Sequence, residues 1–165
     1  MKQYLYIGGL VVAAGLGACS GKLDLDPGQS IDAENALSSD RDFESAITGA
    51  YALIGDNTLY GTDLNLVPEL LASEDYCIWR GSFTNYRDIS AKSMNSGLIT
   101  AESTWLQAYQ AINIANNVLA NIAKVQDEDL RRSLEGEAMF LRGILHFELV
   151  RLYALPYEAG RENAQ

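Results

Sequence analysis

Two long helical patterns joined by a short acidic link, between Thr104 and Pro156, constrain the fold of this chain more than any other feature. In the first pattern, large apolar residues recur three or four positions apart, as they do along one face of an α-helix. The link, Gln126–Asp129, is short enough to turn the second helix back antiparallel to the first. The pair predicts an all-α fold built on tetratricopeptide-like helical hairpins with irregular loop insertions. The stripe of the first helix contains Trp105, Tyr109, Ile112, Leu119 and Ile122.

The second helix is apolar on more than one side. We therefore expect it to pack on two layers, because an exposed helix in water keeps only one apolar stripe. A single hairpin of this kind cannot bury its own faces without stacked neighbours. We expect the chain either to continue beyond Gln165, as a truncated piece of a longer protein, or to stack an earlier helix on the pair. One stripe contains Leu134, Ala138, Leu141, Leu145, Leu149 and Leu152, and the other contains Phe140, Ile144 and Phe147.

Two earlier helices are also predicted. The first begins near Ser39, which together with Asp42 has the spacing of a capping box. Its apolar residues continue at helical spacing to Ile54, and Gly55 is a typical stop. A second, short helix is expected around Leu66–Tyr76, with Pro68 in its first turn.

The N-terminus has the pattern of an export signal. An apolar stretch too short to span a bilayer ends in Leu-Gly-Ala-Cys at Cys19, which resembles the lipobox of bacterial lipoproteins. We expect residues 1–18 to be a signal peptide, residues 19–37 a tether lipidated at Cys19, and residues 38–165 a helical domain. The alternatives are a simple signal peptide, a buried N-terminal helix, or a disulfide between Cys19 and Cys77 in an unlipidated secreted protein.

Composition and motifs exclude several kinds of function. The net charge of −10 disfavours nucleic-acid binding, because such a chain repels phosphate backbones. His146 has no Cys or second His at ligand spacing, so we expect no metal. The sequence contains no GxSxG, P-loop or GxGxxG motif, and we expect neither a catalytic site nor a cofactor.

The candidate ligand site lies in the irregular stretch before the hairpin. There, aromatic, amide and charged residues mix without helical or strand periodicity, which is typical of a functional loop. Aromatic faces can stack on sugar rings, and carboxylate, amide and guanidinium groups can bind the hydroxyls. The alternative is that Trp79 and Tyr86 form a small core under a long loop. The candidate ligand-binding residues are Asp75, Tyr76, Trp79, Arg80, Asn85 and Tyr86.

Several motifs together resemble the N-terminal part of the SusD/RagB family of Bacteroidota outer-membrane lipoproteins. They are the lipobox, LDLDP at Leu23–Pro27, FESAITGAY at Phe43–Tyr51, WLQAYQAINIANNVL at Trp105–Leu119, and GEAMFLRGILHFELVRLYALPY at Gly136–Tyr157. Family members are roughly three times longer. The resemblance implies a non-catalytic, lipid-anchored outer-membrane protein on the cell surface. It would bind a glycan or peptide-like nutrient and deliver it to a SusC-like TonB-dependent transporter. The alternative function is a helical-repeat lipoprotein that acts only as an assembly or interaction scaffold.

Overall fold

A computed structural model describes residues 36–74 and 76–156 of the chain. Within these two ranges there are five α-helices, a 3₁₀ turn and no strand. The all-α prediction is confirmed. The helices are α1 (Asp40–Ile54), α2 (Asp63–Ala72), α3 (Thr84–Ser90), α4 (Ile99–Asn121) and α5 (Glu128–Tyr153), and the 3₁₀ turn, Ile122–Lys124, follows α4.

The predicted hairpin is formed by α4 and α5, which run antiparallel. The Trp105 and Tyr153 rings meet edge to face at 5.1 Å between centroids, whereas farther along α4 the Asn116 side chain accepts a hydrogen bond from Arg142 at 3.4 Å. Residue numbers therefore rise along one helix as they fall along its partner. The Asp127 carboxylate accepts hydrogen bonds from backbone N–H groups in the first turn of α5, at 2.9 and 3.0 Å, and so caps the helix.

Helix α1 packs across both members of the hairpin and closes the main core. Small residues on α4 allow this close approach, since Ala111 and Ala115 are fully buried between the helices. The Asp40 carboxylate, in the first turn of α1, accepts hydrogen bonds from the backbone N–H groups of Gln126 and Asp127 at 2.9 and 3.2 Å. It fastens the start of α1 to the α4–α5 link. The largest cluster of buried residues contains Leu37, Phe43, Ile47, Ala50, Ala115, Val118, Val125, Leu134, Ala138 and Leu141.

Only one of the two predicted stripes of α5 is covered by the described residues. Leu141 and Leu145 are fully buried against α1 and α4, but Phe140 and Phe147 on the opposite face are each 60% exposed. Ile144 packs at the edge of the core rather than with these two rings. No helix in the described part of the chain is long and apolar enough to cross a membrane.

Three helices differ from the predictions. Helix α4 begins at Ile99 rather than near Thr104, because Thr100 and Thr104 extend its buried face with polar residues that an apolar pattern does not reveal. Helix α2 covers Asp63–Ala72 instead of Leu66–Tyr76, so Pro68 lies in its middle. Helix α3 was not predicted, since its seven residues include only one buried apolar side chain, Ile89.

Candidate functional site

The backbone of the irregular segment between α2 and α3 is held by hydrogen bonds with two serine hydroxyls. At its start, the Ser73 hydroxyl donates to the Cys77 carbonyl at 2.9 Å. Farther on, the backbone N–H of Trp79 donates to the Ser90 hydroxyl at 3.1 Å, which ties the segment to the last residue of α3. Beyond α3, the Lys92 ammonium donates to the carbonyls of the last turn of α2. Ser73 and Ser90 therefore fix the backbone that carries the Trp79 side chain.

Three aromatic rings, those of Trp79, Phe83 and Tyr86, form a cluster on this segment. The Trp79 and Tyr86 rings pack edge to face at 4.9 Å between centroids, and Phe83 lies 6.4 and 6.1 Å from them. The indole folds back over Gly81, where a Cβ atom would lie 2.3 Å from a ring carbon. Only glycine allows this close approach. The Trp79 Nε1 atom is buried without a hydrogen-bond partner among the described residues.

The cluster forms one wall of a hollow of about 430 Å³, which we call the amide hollow. Its lining combines aromatic residues with neutral polar residues, among them two threonines and two asparagines. Such a surface can stack on the apolar face of a ring-shaped ligand while it binds the ligand's hydroxyl groups. The hollow is lined by Asn57, Thr62, Leu66, Trp79, Phe83, Asn85, Tyr86 and Thr100.

A second hollow, of about 480 Å³, lies on the other side of Trp79, and we call it the arginine hollow. It carries charge, with the guanidinium groups of Arg80 and Arg87 and the Glu74 carboxylate. Arg80 and Arg87 are exposed and free to reach an anionic or hydroxylated group. Trp79 therefore separates a neutral hollow from a charged one.

The structure brings together most of the predicted site residues. Trp79, Asn85 and Tyr86 line the amide hollow, and Arg80 lies in the arginine hollow next to it. Tyr76 is 86% exposed and lines neither hollow. Of the two remaining predictions, the ligand residue Asp75 and the lipidation site Cys19 both lie outside the described residues.

Several lining residues were missed because they come from other elements. Asn57 and Thr62 belong to the loop after α1, and Thr100 comes from the first turn of α4. Two glycines, two threonines and an asparagine in that loop signal a turn, but no local pattern shows that it faces Trp79. Phe83 stood within the predicted stretch and could have been included for its aromatic ring alone.

A buried carboxylate behind the cluster was also missed. Asp63 is only 4% exposed, and the Tyr86 hydroxyl donates to it at 2.6 Å. Burial raises the pKa of the Asp63 carboxyl, and hydrogen bonds from Tyr86 and Thr104 partly oppose this. Burial, together with the hydrogen bond to Asp63, raises the pKa of Tyr86 to about 12. Tyr86 therefore remains a neutral hydrogen-bond donor over the physiological pH range.

Comparisons with known proteins match most of the chain to a curated relative and to a protein family. The chain is 27% identical over 161 residues to SusD-like protein P2 of Formosa agariphila, an alignment that covers 95% of the chain and 31% of that relative. The chain thus spans about a third of the relative's length. No solved structure gives a significant match. A family model described as "Starch-binding associating with outer membrane" matches residues 23–164. The chain therefore belongs to the SusD-like family.

Proposed function

We propose that the chain is part of a non-catalytic, cell-surface lipoprotein that binds a glycan or related nutrient in the amide hollow. The protein would deliver this ligand to a SusC-like TonB-dependent transporter in the outer membrane. The observation that carries the proposal is the Trp79–Tyr86 ring pair beside the Asn85 amide, at the edge of one hollow. The family description, which names starch binding and the outer membrane, supports the same class of ligand and the same location.

The chemistry of the amide hollow favours a neutral, hydroxylated ligand. Its described side chains offer hydroxyl and amide groups rather than charges, and these match the donors and acceptors of sugar hydroxyls. A ring face stacked on an aromatic side chain contributes affinity without demanding one sugar stereochemistry. The adjacent arginine hollow could receive a substituent or a second unit of the same ligand through Arg80 or Arg87.

Calorimetric titration of the full-length protein with a panel of maltooligosaccharides, other glycans and peptides tests the proposal. We expect binding of at least one glycan, and we expect Trp79→Ala to weaken it at least tenfold without unfolding the protein. Trp105→Ala is the matched control, because Trp105 is a partly exposed tryptophan on α4 outside both hollows. Unchanged affinity in Trp79→Ala would remove Trp79 from the site.

The exposed face of α5 favours a second candidate function, that of an assembly scaffold. Phe140, Phe147 and Val150 are each at least 59% exposed, and an apolar surface of this kind is typical of a protein contact. The same titration distinguishes the two functions. If the full-length protein binds no glycan and no peptide, the scaffold function is favoured.

Membrane attachment is proposed to occur through lipid on Cys19. The support comes from the sequence alone, in which Leu16, Gly17 and Ala18 precede the cysteine as in a lipobox. Several acyl chains on one residue anchor a protein stably, whereas one chain binds only reversibly. Mass spectrometry of the mature N-terminus is the direct test, and an unmodified Cys19 would overturn the assignment.

A further inference from the structure

We infer that Asp63 is a positioning residue for the amide hollow, in which it orients Tyr86 and thereby sets the packing of Trp79. The inference rests on the proposed function in one respect, since it assumes that the hollow is where ligand binds. Asp63 lies in the first turn of α2 and does not line the amide hollow itself. It acts through the Tyr86 hydroxyl, which it holds at 2.6 Å, and the Tyr86 ring packs edge to face on Trp79.

A carboxylate at position 63 has a cost in stability and a benefit in the hydrogen bond to Tyr86. Asp63 is 4% exposed, and it forms no ion pair within the described part of the chain. Burying a carboxylate without a cation costs more than burying the isosteric amide of asparagine. A charged acceptor, however, makes a shorter and stronger hydrogen bond to a phenol than an amide does. The carboxylate therefore gives Tyr86 one strongly preferred orientation at a cost in stability.

Groups from four other elements face Asp63. They are Tyr86 on α3, Thr104 on α4, Tyr153 on α5, and Asp56 in the loop before α2. The two hydroxyl groups of Tyr86 and Thr104 stabilise the charged carboxylate, while the Asp56 charge opposes it. The position of Asp63 in the first turn of α2 also favours a negative charge, through the dipole of the helix. Helix α2, the aromatic cluster and the hairpin thus meet at one carboxylate.

Asp63 lines a small cavity of about 190 Å³, which gives this carboxyl room to change its hydrogen bonds. Thr104 and Tyr153 also line it, and Thr100 lies in the walls of both this cavity and the amide hollow. If Asp63 takes up a proton, its charge-assisted bond to Tyr86 is lost. The Trp79–Tyr86 packing then loosens, so the order of the hollow depends on the charge of Asp63.

The test uses Trp79 as an internal reporter and needs no ligand. The sequence contains two tryptophans, so Trp105→Phe leaves Trp79 as the single fluorophore. In this background we expect Trp79 emission and its quenching by acrylamide to change with one transition above the ordinary carboxyl pKa of 3.8 as the pH is varied. Asp63→Asn and Tyr86→Phe should each abolish the transition, and circular dichroism should confirm that both variants remain folded.

Glu69→Gln is the matched control. Glu69 is the exposed carboxylate nearest in sequence and is not among the groups that act on Asp63, so its removal should leave the transition in place. A transition of unchanged position and amplitude in a folded Asp63→Asn variant would overturn the inference. So would a Trp79 signal that does not respond to pH before the chain unfolds.

A second measurement links Asp63 to ligand. In the full-length protein we expect Asp63→Asn to raise the Kd for the bound maltooligosaccharide about tenfold at neutral pH and to flatten its pH profile. Because Asn keeps the side-chain size, a merely structural role would leave the pH profile unchanged. If the unsubstituted protein binds no glycan, the proposed function fails, but the Trp79 fluorescence still decides whether Asp63 positions the cluster.

Discussion

Arg151 donates a hydrogen bond to the carbonyl of Leu64, with 3.2 Å between its guanidinium nitrogen and the carbonyl oxygen. Pro68, four residues after Leu64, has no N–H to return to that carbonyl within α2. The last turn of α5 thus replaces the hydrogen bond that the proline removes. The same Arg151 side chain pairs with Glu148, which is 6% exposed and also accepts the Tyr60 hydroxyl at 2.8 Å.

Removal of Arg151 should therefore destabilise the chain. We expect Arg151→Ala to lower the free energy of unfolding by about 2 kcal/mol, because it leaves a buried carboxylate and a helix carbonyl short of a partner. The value is reduced by the partial exposure of the arginine, whose side chain is 43% exposed. Urea unfolding followed by circular dichroism measures the change. Arg132→Ala, which removes an exposed ion pair to Asp129, should cost less than about 0.5 kcal/mol.

The link to Pro68 can be tested separately. In a Pro68→Ala background, the new N–H can bond to the Leu64 carbonyl, so Arg151→Ala should cost about 1 kcal/mol less than it does with proline present. An equal cost in both backgrounds would show that Arg151 acts through Glu148 alone.

Substitution of phenylalanine by alanine should affect the free energy of unfolding very differently at Phe43 and at Phe140. Phe43 is fully buried between α1 and the hairpin, so Phe43→Ala should leave a cavity and lower the free energy of unfolding by about 3 to 5 kcal/mol. Phe140 is 60% exposed, and Phe140→Ala should change it by less than about 0.5 kcal/mol. Urea unfolding of both variants provides the comparison. A large loss from Phe140→Ala in the 165-residue chain would mean that its ring is buried.

The long helices were predictable from sequence because their apolar stripes are what the core buries. Residues such as Leu141 and Leu145 recur at helical spacing, and the structure buries both. Helix α3 could not be found in this way, since Ile89 is its single buried residue. Lys92, just after α3, donates hydrogen bonds to carbonyls at the end of α2, and local sequence does not reveal such a long-range contact.

The candidate site was predictable only where its residues lie within one short stretch of sequence. Trp79, Asn85 and Tyr86 stand close together and could be chosen for their chemistry. Asn57 and Thr100 reach the same hollow only through the packing of α1 and α4, and this depends on long-range contacts. Asp63 was the hardest to identify, because an acidic residue in the first turn of a helix is usually solvated. Its burial follows from the close packing of three helices around it.

Replacement of Gly61 or of Gly49 by alanine should change the stability of the chain in opposite directions. A Cβ atom at Gly61 would lie 2.6 Å from the carbonyl oxygen of Gly55 and 2.7 Å from that of Asp56. Gly61→Ala should therefore distort the loop after α1 and lower the free energy of unfolding by more than about 1 kcal/mol. A Cβ atom at Gly49, in the middle of α1, would meet nothing within 4 Å. Gly49→Ala should stabilise the chain by about 0.5 to 1 kcal/mol.

Thermal unfolding of the two glycine variants compares them directly. The midpoint should fall for Gly61→Ala and rise for Gly49→Ala. A fall for both variants would show that α1 packs closely at Gly49. This would contradict the open space that surrounds Gly49 among the described residues.

The raised pKa values of Tyr60 and Tyr86 predict a loss of stability at alkaline pH. Burial is the main cause that raises the pKa of each to about 12 from the ordinary 10.0, and the hydrogen bonds to Glu148 and Asp63 add to it. The folded state thus holds these two protons more tightly than the unfolded state. Their contribution to stability is fully present below pH 10 and is lost as the pH rises through about 12.

The ultraviolet absorbance of tyrosinate, recorded during an alkaline titration, measures these ionisations. We expect a late step near pH 12 in the folded chain, and Tyr60→Phe and Tyr86→Phe should each reduce its amplitude. Tyr76→Phe is the matched control, because its ring is 86% exposed and its removal should leave the late step at full amplitude. If Tyr86→Phe also leaves the late step unchanged, the Tyr86 hydroxyl does not bond to Asp63 in solution. The hydrogen bond that orients the aromatic cluster would then be absent.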